Sequence, residues 1–275
     1  VKILTKYSLI NLAIALAGSL LFSGCDNVSS LDGKRITSTS LIGAEISLTS
    51  NAESDYLSKD YREHNRIKVT LFDSKNIDIK NSSLRVFMNG LEMPLLSEMR
   101  LLNDERPYYY LKERILPDKP YCFTLVLSDS SVHTLATIFT QNQITFKQFN
   151  FPEVYSRKND LFLAWQKIEP PARLYVYRSS YPAQNKDSAS ATFEDRSSPG
   201  IIKKEIGKRT FLGLPWFRAR HYTIPASFFT MENRVVSGLT FDIESTQEGK
   251  VWEGFLKNSR ISATYGLKKT IQLRD

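Results

Sequence analysis

Tyr108, Tyr109, Tyr110 and Leu111 lead through Ile115, Leu116, Pro117 and Asp118 into Tyr121, Cys122, Phe123, Thr124, Leu125, Val126 and Leu127. The fold is decided by this run. Tyr121, Phe123, Leu125 and Leu127 alternate with Cys122, Thr124 and Val126, a period of two that sends each set of side chains to its own face of a strand. Pro117 and Asp118 are turn formers and separate two strands. Residues 128–131 then read as a hairpin loop and 133–140 as the returning strand. In the triple tyrosine, Tyr108 and Tyr110 share one face and Tyr109 takes the other.

The same pattern extends in both directions. Ile67, Val69 and Leu71 alternate with Arg66, Lys68 and Thr70, and Leu84, Val86 and Met88 repeat the spacing. Asn89 and Gly90 both tolerate positive φ and predict a type I′ turn into a return strand carrying Leu91 and Met93. Beyond residue 143, Leu161, Leu163 and Trp165 alternate with Phe162 and Ala164, and Pro170 and Pro171 precede a strand at 173–179. Further strands are expected at 222–229, 239–245 and 260–273, with Leu239, Phe241 and Ile243 opposite Thr240, Asp242 and Glu244. Helical periodicity is scarce. Residues 51–65 and 182–200 have the composition of loops.

The spacing of Ile115, Pro117 and Tyr121 resembles the corner before the sixth strand of fibronectin type III domains. That resemblance implies that Tyr121 bonds its hydroxyl back to the chain and packs its ring inward. The Trp165 strand and its successor resemble the second and third strands of a fibronectin type III or immunoglobulin-like domain, which would make Trp165 a core tryptophan. The expected fold is all-β, with two antiparallel β-sandwich (fibronectin type III/Ig-like) domains at residues 41–142 and 143–275.

Ahead of the domains lies a different kind of segment. Lys2 and Lys6 precede an apolar run over residues 9–22, and Leu21, Phe22, Ser23, Gly24 and Cys25 close it with small residues. This order of basic start, apolar run and small-residue site is that of a secretory signal, and the run is short for a membrane span. The box resembles that of bacterial lipoproteins. The resemblance implies a signal peptide at residues 1–24, cleavage before Cys25 and acylation of the Cys25 thiol, so that membrane lipid is the first partner. Asp26 resembles an inner-membrane retention signal. Residues 25–40, polar and without apolar period, are expected as the lipidated cysteine and a flexible tether.

Composition fits a globular mature chain, at 41% hydrophobic and 12% aromatic residues. The formal charge of +8 falls to +6 once Lys2 and Lys6 leave with residues 1–24. A modest excess of this kind suits anionic lipid or glycan phosphate, or simply a solvated basic surface. No nucleic-acid-binding motif occurs. With Cys25 assigned to lipid, Cys122 stands alone, which excludes an intramolecular disulfide; its place in an apolar strand reads as a buried structural thiol.

Chemistry is sparse. His64, His133 and His221 are isolated, and no spacing of His, Cys or acids makes a recognised metal site. No Gly-x-Ser-x-Gly elbow, phosphate-cradling glycine loop or dinucleotide fingerprint occurs. No cofactor, metal or catalytic residue is expected. Candidate binding residues are aromatic and basic: Trp216, Phe217, Arg218 and Arg220 together, suited to a sugar ring or an anionic group, and Tyr108 with Tyr110. The reading is a non-catalytic protein-interaction or assembly lipoprotein of the bacterial envelope, facing the periplasm or the surface. Glycan or anionic-polymer binding is the alternative, and an envelope hydrolase the third class.

Overall fold

A computed structural model describes residues 28–54, 62–99, 105–166, 168, 171–182, 193–195, 201–206, 208–211, 214–217 and 220–275. In the first half the alternating runs form β1 (Gly43–Ser54), β2 (Arg62–Phe72), β3 (Arg85–Met88), β4 (Leu91–Met93), β5 (Leu95–Met99), β6 (Glu105–Leu111), β7 (Pro120–Val126) and β8 (Val132–Phe139). Asn89 and Gly90 take φ of 49° and 83°, the type I′ geometry that matches the twist of β3 and β4. Asn89 also clamps β7. Its N–H donates to the Cys122 carbonyl and its Oδ1 accepts the Cys122 N–H, both at 2.8 Å. Asp118 turns at φ 52°, and the Tyr121 hydroxyl accepts the Leu116 N–H at 2.8 Å. This is the expected tyrosine corner: the buried ring fills the core while its oxygen satisfies a backbone donor that has left the sheet.

The second half supplies β9 (Val154–Ser156), β10 (Leu161–Ala164), β11 (Ala172–Pro182), β12 (Phe193–Asp195), β13 (Ile201–Ile206), β14 (Lys208–Phe211), β15 (Leu214–Phe217), β16 (His221–Ile224), β17 (Thr230–Met231) and β18 (Arg234–Glu248). The chain then returns through β19 (Lys250–Val251) to β20 (Arg260–Arg274). The strand expected over 222–229 stops at Ile224. Pro225 has no N–H for a ladder, and Ala226–Phe229 wind into a 3₁₀ turn that drops Phe229 into the core.

Among the described residues, an eleven-stranded sheet organises the molecule. Its main path is β12-β11-β18-β20-β1-β2-β6-β5, with β13 on β11, β17 on β18 and β9 on β20. The strands β18 and β20 are each 15 residues long, about 50 Å of extended chain. Most pairings are antiparallel, but β1 and β9 run parallel to β20. A parallel neighbour demands a long connection, and here residues 55–259 lie between β1 and β20.

Both cores occupy one side of this sheet. On β20, Ile261, Ala263 and Tyr265 enter the first core while Leu267, Ile271 and Leu273 enter the second; alternate residues of a strand share a face. Residues 261–265, within the stretch expected for the second domain, thus complete the first core. Facing the sheet there is the five-stranded layer β19-β8-β7-β3-β4. The second core is covered by the pair β10-β16 and by packed rings: Phe149 lies 5.1 Å from Phe151, Phe151 5.1 Å from Phe241, and Phe149 6.3 Å from the buried Trp165.

Three local expectations are corrected. Residues 28–40, expected as a tether, are docked on the first core. The Ser29 hydroxyl donates to Asp73 Oδ2 at 2.7 Å, Asn81 Nδ2 donates to the carbonyls of Leu31 and Lys34, and Ile36 is buried between reciprocal bonds with Ser128. A single apolar anchor and borrowed side-chain partners leave no periodic trace in a sequence. The expected loop over 51–65 is strand at both ends, since β1 runs to Ser54 and β2 begins at Arg62. Cys122 is half-buried and free, because the alternation of β7 turns it away from the core that Tyr121 and Phe123 enter.

Candidate recognition surfaces

The outer face of the long sheet follows from the same alternation. Residues of β20 between the core positions are Ser262, Thr264, Gly266 and Lys268, in register with Ser47, Thr49, Asn51 and Glu53 of β1. Threonine hydroxyls meet across β18 and β20, with Oγ1–Oγ1 distances of 3.2 Å for Thr240–Thr270 and for Thr246–Thr264. Lys268 Nζ lies 3.6 Å from Glu53 Oε1. A Cβ on Gly266 would come within 2.5 Å of Asn51 Oδ1, so glycine there lets the asparagine lie flat across the neighbouring strand. The middle of the face is therefore polar, with hydroxyls and Asn51 beside the charged side chains of Glu53, Lys268, Asp242 and Glu244.

Tyrosines and lysines stand at both margins. On β6, Tyr108 and Tyr110 meet edge to face, ring centroids 6.3 Å apart, and Lys68 Nζ lies 4.3 Å from the Tyr108 centroid. On β11, Tyr175 and Tyr177 stack with centroids 6.3 Å apart and planes 10° apart, and Lys203 Nζ lies 5.7 Å from the Tyr175 ring. Tyr109, between the first pair, turns inward and donates its hydroxyl to the Leu84 carbonyl at 3.0 Å. Burial pushes its phenol pKa up.

A second surface lies where the chain turns from β19 into β20. Trp252 is 57% exposed and edges a groove of about 580 Å³ lined by Glu248, Lys250, Glu253, Leu256, Lys257 and Arg260. The turn is held from beneath. The Trp252 N–H donates to the Leu135 carbonyl at 3.0 Å, the Leu256 N–H to the Ile42 carbonyl at 2.9 Å, and Phe255 plugs the first core. Asn258 donates to the Asn76 side chain, and the Arg260 guanidinium engages Glu45. Lys250 Nζ sits 5.8 Å from the Trp252 ring, within reach of a cation–π attraction.

The sequence candidates fall in separate places. Tyr108 and Tyr110 are half-buried on the outer face of the first unit. Trp216 and Phe217 have backbone in β15, which pairs with β14; their side chains and all of Arg218 lie outside the described residues. Arg220 is exposed, and its carbonyl accepts the Trp165 N–H at 2.9 Å beside the second core. Cys25 also lies outside the described residues. Sequence reasoning did not single out Tyr175, Tyr177 or Lys68, although the alternation Leu174-Tyr175-Val176-Tyr177 carried the signal for the first two. Among the described residues no group of three or more His, Cys, Asp or Glu is placed to hold a metal ion.

The molecule is an all-β sandwich protein, a class that rests on the strands and cores above. The chain finds no match among protein-family profiles or curated proteins. Solved structures similar to it include the FN1-FN3 domains of chicken CNTN1, at 7% identity and a TM-score of 0.24, covering 86% of this chain and 92% of that one. The Yersinia pseudotuberculosis adhesin InvE is similar at 10% identity and a TM-score of 0.18, over 83% of this chain and 58% of that one. SGBP-B of the Bacteroides ovatus mixed-linkage glucan utilization locus, in complex with a mixed-linkage heptasaccharide, is similar at 10% identity and a TM-score of 0.17, over 77% and 56%. The chain thus spans little more than half the length of the last two.

Proposed function

We propose that this protein is a lipid-anchored, non-catalytic recognition module of the bacterial cell envelope, and that it engages a protein partner through the outer face of its long sheet. The observation that carries the reading is the polar face with a Tyr–Lys margin on each side, Tyr108 and Tyr110 with Lys68 at one and Tyr175 and Tyr177 with Lys203 at the other. Tyrosine supplies large contact area at small entropic cost, and polar and charged groups between such anchors can satisfy partner hydrogen bonds. Acylation of Cys25 would hold the face near membrane partners and raise its effective concentration there. The near-parallel Tyr175 and Tyr177 rings support a second reading, stacking on a sugar of an envelope glycan.

The test is affinity purification of the tagged full chain from crosslinked membranes, beside Cys25→Ser, Tyr108→Ala/Tyr110→Ala and Tyr175→Ala/Tyr177→Ala variants. A stoichiometric protein lost with either tyrosine pair is the expected outcome. Retention on cell-wall or lipopolysaccharide matrices that depends on Tyr175 and Tyr177, with no protein recovered, would favour the glycan reading. Trp216→Ala/Arg218→Ala serves as the independent check on the other aromatic–basic candidate.

A further inference from the structure

Acylation of Cys25, the anchoring on which this inference rests, has a geometric consequence because the chain docks so soon afterwards. Ser29 is buried and bonded to Asp73, and only four peptide steps separate it from Cys25, at most about 14 Å of extended chain. An acyl group on Cys25 would bring the end of the first sandwich that holds Ser29 down to the bilayer. That end is formed by residues 28–43, the turn after β2, the β7–β8 loop and the turn before β20. These segments interlock: Asp73 accepts from Ser29, Asn258 donates to Asn76, Ser128 binds Ile36, and the Leu256 N–H reaches the Ile42 carbonyl.

The surface chemistry of that end suits a lipid headgroup layer. Val28, Leu41, Val132 and Trp252 are exposed at 62, 46, 67 and 57%, apolar side chains set around one end, with the tryptophan of the type that settles at membrane interfaces. In residues 28–43, 73–80, 128–132 and 250–259, six lysines and arginines are exposed, among them Lys34, Lys75 and Lys257, against the exposed carboxylates of Asp129 and Glu253, the half-buried Asp32 and Asp78 and the buried Asp73, so that the cations are the more outward-facing charges. Cations near an anionic leaflet are attracted, and scattered apolar side chains beside them enter the interface.

We infer that this end of the first sandwich docks on an anionic bilayer surface with Trp252 in the headgroup layer, so that β18 and β20 carry the second unit away from the membrane. The face bearing the tyrosines then stands upright, open to a partner arriving from the side.

The test uses the acylated full chain in phosphatidylglycerol–phosphatidylcholine vesicles with brominated acyl chains, which quench nearby indoles. Metabolic labelling with an alkyne palmitate, against Cys25→Ser, reads anchoring separately. Fluorescence of the wild type minus that of Trp252→Phe isolates Trp252 from Trp165 and Trp216. The expected result is quenching of the Trp252 component by brominated lipid, and a fall of about fivefold in vesicle partitioning of the unacylated chain for each of Lys34→Gln, Lys75→Gln and Lys257→Gln. A labelled, vesicle-bound chain whose Trp252 component is equally bright with and without bromine overturns the docking while leaving anchoring intact, and returns the Trp252 groove to a protein or glycan partner. An unlabelled, soluble chain overturns the anchoring reading and the orientation together.

Discussion

The two cores lie on the same side of one sheet and yet are closed by different means. The first is sealed by a second layer of strands, whose aliphatic side chains from Val86 to Ile138 interleave with those of β1, β2 and β20. The second is sealed by the two-stranded pair β10-β16 and a set of stacked rings, Phe149, Phe151, Trp165 and Phe241. A full strand layer satisfies its own backbone groups, so its side chains, aliphatic ones with Tyr121 and Phe123 among them, can follow the regular two-residue alternation. Where strands are few, large rings must supply the buried area, and irregular segments find their hydrogen bonds piecemeal, as Trp165 does with Arg220.

The largest effects should come from the ring at the heart of each core. Phe123 and Phe241 are fully buried, and alanine at either position is expected to cost about 3–5 kcal/mol. Because β20 runs through both cores, either substitution should lower one shared calorimetric transition. Two transitions that move independently would break the comparison in favour of separable units. Next in size is Gly249→Ala at the β18–β19 turn. Its Cβ would fall 2.5 Å from the Thr137 carbonyl oxygen, a backbone atom that cannot swing aside, and a loss of about 1–3 kcal/mol in urea unfolding is expected.

Tyr121→Phe removes only the corner hydroxyl and should cost about 1 kcal/mol, with faster amide exchange at Leu116 and no change around Trp165. The docked segment 28–36 gives an acid-dependent effect. Burial alone would raise the Asp73 carboxyl, but the Ser29 hydroxyl and the N–H groups of Ile77, Lys75 and Ser30 outweigh it and hold the pKa below the ordinary carboxylate value. A depressed folded pKa contributes stability above the unfolded value near 3.9, and that contribution is lost as pH falls through the folded value. Amides from Leu31 to Ile36 should therefore lose exchange protection below about pH 4, before the β-ladder of the second core does. Least of all should come from Cys122→Ser, expected within about 0.5 kcal/mol since the side chain faces away from the core.

Much of the first unit was readable residue by residue. The Asn89–Gly90 hairpin and the Tyr121 corner depend on neighbours within five residues, and backbone chemistry at that range is written in the residue types themselves. The second unit was less legible: Pro225 ended a strand that apolar spacing alone would have continued, and the Tyr175–Tyr177 pair was passed over in favour of Trp216. Docking of residues 28–40 escaped detection because its partners, Asp73, Asn81 and Ser128, lie 44 or more positions away.

By itself the sequence determined which residues alternate, where the chain turns and which face of each strand is apolar, because these follow from the two-residue period and from local φ preferences. Only the tertiary structure decided that β1 lies parallel to β20, that one last strand feeds two cores, and that Trp252 is exposed. Pairing and burial depend on which distant segments meet, and no local residue pattern encodes that choice.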